Sequence, residues 1–76
     1  MDCYATFASQ TYAIKAQKAL KDASIPSRVI KLDGEKSKKG CAYGVELPCS
    51  MLESAKNILR NERIKSRRFY MGDTEI

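Results

Sequence analysis

The 76-residue chain contains no histidine. Without an imidazole it lacks the usual proton acceptor near neutral pH, so any nucleophile here must be activated by its electrostatic surroundings rather than by a general base. No other acid–base pair is evident, and so short a chain has little room for a concave pocket, which sets aside an independent hydrolase or transferase. Cysteine is scarce: three residues, Cys3, Cys41 and Cys49, with no CxxC spacing. With no histidine to assist, that pattern argues against zinc, and neither a metal nor a cofactor is expected. No apolar run approaches the roughly 18 residues of a membrane span. The N-terminal MDCYATFAS carries an acidic residue and no basic flank, so export is not expected either. The expectation is a cytoplasmic protein with reduced thiols.

What is present has a globular balance, 43% hydrophobic and 30% charged residues, where a disordered tail would hold far fewer apolar positions. The length suits one domain, 1–76, and a domain of this size buries only about 60% of its unfolded surface, so the core must be thin. The net charge of +5 is concentrated in Lys31, Lys36, Lys38 and Lys39 and in Arg60, Arg63, Lys65, Arg67 and Arg68. Such clusters are either solvated surface or attractors of an anionic partner.

Along the chain, CYATFA at 3–8 is β-prone and stops at Ser9, a residue suited to capping a helix. Tyr12, Ala16, Ala19, Leu20 and Ala23 then make an amphipathic stripe, which Ile25-Pro26 ends. Arg28 to Leu32 alternates as a strand, and DGEKSKKG at 33–40 reads as an exposed hairpin loop. Tyr43, Val45 and Leu47 share one face of a third strand, with Gly44 marking a bulge or a close approach. Pro48 closes that strand. Ser50 and Glu53 have the spacing of a capping box for a second helix, which should bury Met51, Leu52, Ala55, Ile58 and Leu59. Arg67 to Met71 is a last strand, and 72–76 should fray. No internal repeat is visible. The order strand, helix, strand, strand, helix, strand predicts an α+β, ferredoxin-like βαββαβ fold. Its four-stranded antiparallel sheet would carry two helices on one face, with the third strand between the first and second.

That topology separates the cysteines. Cys41 opens the third strand, beside the amides of Ser9, Gln10 and Thr11 at the start of the first helix, which is an anion-favouring place. With Lys38 and Lys39 preceding it, and Gly40 and Gly44 giving flexible presentation, its thiol should be shifted toward the thiolate, a nucleophile for sulfur. Cys49 falls near Cys3, where the two are either small buried hydrophobes or second thiols able to meet. Eight residues of extended chain hold Cys41 and Cys49 roughly 26 Å apart, too far to bridge.

The short strand with Phe7, the helix AIKAQKALKDASIP, the strand RVIKL and the Gly-Cys step into GCAYGVEL resemble a family of small prokaryotic proteins described as selenium/sulfur carrier protein-like. The family pattern has Cys-Gly where this chain has Cys41-Ala42, its glycine coming at Gly44. The resemblance implies a carrier without turnover of its own. Cys41 would receive sulfur or selenium, as a persulfide or selenosulfide, from a cysteine desulfurase-type donor that uses pyridoxal phosphate, and pass it to an acceptor enzyme. A binding module is the alternative, because KGCAYGVEL partly matches the third-strand motif of RNA-recognition domains. Tyr4, Tyr43, Arg67, Arg68 and Tyr70 would then contact single-stranded nucleic acid. A homodimer paired across the open sheet face is a third reading.

Overall fold

CYATF forms the middle strand of the sheet, and its burial follows from that position. In the computed structural model, which describes residues 3–32, 43–72 and 74–76, β1 spans Cys3–Phe7 and every one of its residues is buried. It leads into α1 (Gln10–Asp22), β2 (Arg28–Lys31) and β3 (Tyr43–Leu47). A 3₁₀ turn at Cys49–Met51 follows, then α2 (Leu52–Asn61), β4 (Phe69–Met71) and β5 (Thr74–Glu75). The sheet order is β2-β3-β1-β4-β5, and each neighbouring pair is antiparallel.

The third strand therefore lies between the first two, as the sequence led us to expect. The sheet has five strands rather than four, and the extra one lies in the segment expected to fray. Gly72, at φ 62, starts a two-residue connection that brings Thr74 opposite Met71. Glycine occupies that left-handed region without the steric cost borne by other residues. Ile76 adds a further bond, its N–H donating to the Phe69 carbonyl at 2.9 Å.

Period-two alternation sorts the two faces of the sheet. Cys3, Ala5, Phe7, Val45 and Leu47 join Ala13, Ala16 and Leu20 of α1 and Leu52, Ala55 and Leu59 of α2 in the principal core. Tyr4 and Leu32 form a smaller cluster with Ile30 and Tyr70 around them. Small residues on α1 let that helix approach the sheet closely.

Ser9 caps α1 as expected: its hydroxyl accepts from the Tyr12 amide at 3.3 Å. The buried stripe starts at Ala13, however, and Tyr12 is 47% exposed. Residues 13, 16 and 20 lie on one side of a 3.6-residue spiral, within about 60° of one another, and position 12 lies at the edge of that stripe. The expected capping box of α2 does not form, since no side chain caps either α2 or the turn before it. The chain starts to coil earlier, with the Met51 amide bonded to the Pro48 carbonyl at 3.0 Å. That places Ser50 inside the turn instead of ahead of it, and Met51, expected to be buried, is exposed.

Both helices end in the same way. Ser24 (φ 65) and Arg63 (φ 57) adopt left-handed backbone. The amides of Ile25 and Ile64 each bond back 2.9 Å to Leu20 and Leu59 respectively. These are Schellman ends, in which the residue after the left-handed one packs its apolar side chain back on the helix. Neither left-handed position is occupied by glycine.

Cys3 and Cys49 are joined by a disulfide, with Cα atoms 5.0 Å apart and a sequence separation of 46. The expectation of reduced thiols is corrected at these two positions. Ladder pairing explains the approach: Leu47 lies opposite Cys3, and Pro48 turns the chain so that Cys49 comes back over the start of β1.

Two outcomes follow for stability. Arg63→Gly relieves a left-handed conformation on an exposed residue and should raise stability by roughly 1 kcal/mol, seen as a higher urea midpoint with unchanged slope. Breaking the Cys3–Cys49 bond by reduction releases a long loop in the unfolded chain and should cost roughly 2–4 kcal/mol. In a domain of this size each kcal/mol moves the melting point by about 4–8 °C, so calorimetry with and without reductant measures the loss.

Candidate functional site

The sheet offers two chemically distinct ends, at opposite ends of β3. At one end β1 runs into α1. Ser9 supplies the cap, and Gln10 and Thr11 occupy the exposed first turn. The first-turn amides of a helix have no intrahelical partner, and here the first turn carries no acidic residue, so the positive end of the dipole is left for an anion. Tyr43, the first described residue of β3, pairs with Phe7, only two residues before the cap. Of the expected thiol site, Lys38, Lys39, Gly40 and Cys41 lie outside the described residues; Ser9, Gln10 and Thr11 are brought together by the turn of α1.

Gly44 was expected to present Cys41 flexibly. It instead lies within β3, buried and paired with Thr6 on one side and Ile30 on the other. A β-carbon there would meet the Ala5 carbonyl oxygen at 3.1 Å and the Ile30 Cγ1 at 3.3 Å. The glycine is the close approach that the sequence suggested, and it lets Ile30 and Leu32 lie down over the sheet.

The far end of β3 carries the disulfide. Cys3 is completely buried, and Cys49, half-buried, packs against the principal core. The contact considered between them is thus a covalent bond.

The five residues of the nucleic-acid alternative do not share a surface. Tyr4 and Tyr70 stack with ring centroids 5.1 Å apart and planes 13° from parallel, but Tyr4 is only 6% exposed. Tyr43 pairs with Phe7 and packs with the principal core on the helix side, which is the opposite face from Tyr4. Arg68 is engaged by Glu75 at 2.9 Å, while Arg67 is exposed. A stacking platform needs open aromatic faces on one side of the sheet, and this arrangement divides them.

A feature absent from the sequence reading lies where β4 begins. The Thr6 amide donates to the Arg68 carbonyl, and the Arg67 amide donates to the Thr6 carbonyl, both at 2.8 Å. Two residues thus face one, a bulge. The surplus Arg68 amide donates to Thr6 Oγ1 at 3.0 Å, and Thr6 is 1% exposed. This buried hydroxyl keeps the bulge satisfied. It also shortens the expected Arg67–Met71 strand to Phe69–Met71.

Among the described residues no group of three or more His, Cys, Asp or Glu side chains converges, and no helix is long and apolar enough to cross a membrane. Fold and site together define a small α+β protein whose sheet is closed at one end by two bonded cysteines, with a third cysteine, Cys41, outside that bond. The family model described as "Putative Se/S carrier protein-like" matches residues 2–71, and the chain belongs to that family. No curated protein and no solved structure matches it significantly.

The tight space above Gly44 has a measurable consequence. Gly44→Ala must displace Ile30 or push against the Ala5 carbonyl, and overpacking of this kind should cost roughly 1–3 kcal/mol. Urea denaturation of the variant reads this directly, and a loss of less than a few tenths would mean that the neighbours give way freely.

Proposed function

We propose that the chain carries sulfur or selenium on Cys41, as a persulfide or selenosulfide, on a ferredoxin-like scaffold extended by one strand. One observation supports the choice of residue above the others. The sequence has three cysteines, and the Cys3–Cys49 bond occupies two of them, so the thiol available for cargo is that of Cys41. Membership of the carrier-like family over residues 2–71 supports the reading.

The chemistry needs no general base. A donor enzyme of the cysteine desulfurase type presents a persulfide, and the Cys41 thiolate attacks its terminal sulfur. The donor's own cysteine leaves as thiolate, and Cys41 now carries the sulfane sulfur. A nucleophile of the acceptor enzyme attacks that sulfur in turn, and Cys41 departs as thiolate, so the carrier returns to its starting state. Each step requires an ionised Cys41 as attacker or leaving group. Lys38 and Lys39 near it in sequence, and the α1 first turn whose cap, Ser9, lies two residues beyond Phe7, are the groups proposed to favour that ionised form.

Incubation with a desulfurase and free cysteine tests this. The full chain should gain the mass of one sulfur atom, located at Cys41 by peptide mass spectrometry and removed by reductant. Cys41→Ser should gain none. Loading that persists in Cys41→Ser, or a Cys41 alkylated no faster than an ordinary thiol of pKa about 8.5, would refute the carrier reading.

A further inference from the structure

The carrier reading leaves the Cys3–Cys49 pair unused. The two halves of this bond differ in a way that matters for exchange chemistry. Cys3 lies on the central strand between Leu47 and Met71 and is 0% exposed. Cys49 begins a short 3₁₀ turn and is only half-buried, so of the two residues it is the one that solvent reaches. Two exposed methionines border the pair: Met51 at 36%, two residues after Cys49, and Met71 at 50%, opposite Cys3. Methionine supplies an adaptable apolar rim of the kind that accommodates varied partners.

We infer that Cys3–Cys49 is a thiol–disulfide exchange site, entered at the sulfur of Cys49 and specific for an external thiolate. The thiolate attacks Sγ of Cys49, and the bond to Cys3 breaks. The electron pair leaves on Cys3 Sγ as a thiolate, while Cys49 holds the newcomer as a mixed disulfide. A second external thiolate attacks the newcomer's sulfur, releasing an external disulfide and the Cys49 thiolate. Two external thiols have been oxidised to a disulfide, and once the Cys3 and Cys49 thiolates are protonated the chain has gained two electrons and two protons. A charge freed at Cys3 is surrounded by core atoms, which favours re-closure and makes the mixed disulfide short-lived. The site lies at the Leu47 end of β3, whereas Cys41 precedes the Tyr43 end, so its chemistry is independent of cargo on Cys41.

The test uses the full chain carrying Cys41→Ser, so that its failure says nothing about the carrier reading. Reduction by glutathione is followed by quenching with an alkylating agent and mass spectrometry, in buffer and in urea well below the unfolding midpoint. Entry through native Cys49 predicts a rate proportional to thiolate and unchanged by the low urea. A rate that rises with urea in step with global unfolding would overturn the site, because the bond would then open only in unfolded chains. In single-thiol variants, glutathione disulfide should label Cys49, with Cys3→Ser and Cys41→Ser in place, at least about tenfold faster than it labels Cys3 in the converse variant. Equal labelling would also overturn it. A parallel arm with a protein dithiol of the CxxC type distinguishes the source of the thiolate: faster reduction per thiol than by glutathione assigns the site to a protein partner, and slower reduction to small thiols.

Discussion

β1 is the element on which the rest of the molecule depends. It pairs with β3 on one side and β4 on the other, it is buried throughout, and it carries Cys3 at its start. A strand covered on both faces and both edges cannot tolerate an unsatisfied polar group, which is why its threonine hydroxyl, that of Thr6, meets the surplus amide of the β4 bulge. Its alternate residues divide the molecule: Cys3, Ala5 and Phe7 belong to the helix-side core, and Tyr4 belongs to the smaller cluster opposite. So thin a structure has few other places to store stability, and the bond from Cys3 to Cys49 fastens the start of this strand to the approach of α2.

The same bond makes sense of where α2 begins. Serine at 50 and glutamate at 53 have the spacing for a reciprocal cap, yet the chain coils already from Pro48 and Cys49, and carbonyls of these residues accept the first bonds. Local capping chemistry competes here with a covalent tether that holds the two Cα atoms 5.0 Å apart. At the other ends of the helices, local chemistry prevails: Ile25 and Ile64 each lock a Schellman turn even though serine and arginine must adopt left-handed backbone to permit it.

For the function, the bond narrows the field of nucleophiles. A carrier requires a thiol that is ionised, reachable and unclaimed, and Cys3, fully buried and bonded, is neither reachable nor unclaimed. The basic residues near the C-terminus divide in a similar way. Arg68 is paired with Glu75, and Lys56 lies 5.0 Å over the Phe69 ring, so part of the positive charge serves the fold.

The order of elements, the strand between strands, the Ser9 cap, the middle of each apolar stripe though not Tyr12, Ala23 or Met51 at the ends, and the close approach at Gly44 were legible in the sequence, because each rests on the pattern of residues near one another along the chain. So was the family, through the Gly-Cys step and the patterns around it. The fifth strand had only a faint signal, the Gly-Asp pair before Thr74, because two residues of strand gain their meaning from the edge they pair with. Tyr43 could not be assigned a face relative to Tyr4 until the register was set, since a shift of one residue reverses every side chain. Whether Cys3 and Cys49 pack or bond also lay beyond the sequence. Local periodicity determines where strands and helices form, but only the tertiary structure decides which distant residues meet, because that depends on register, bulge and turn acting together.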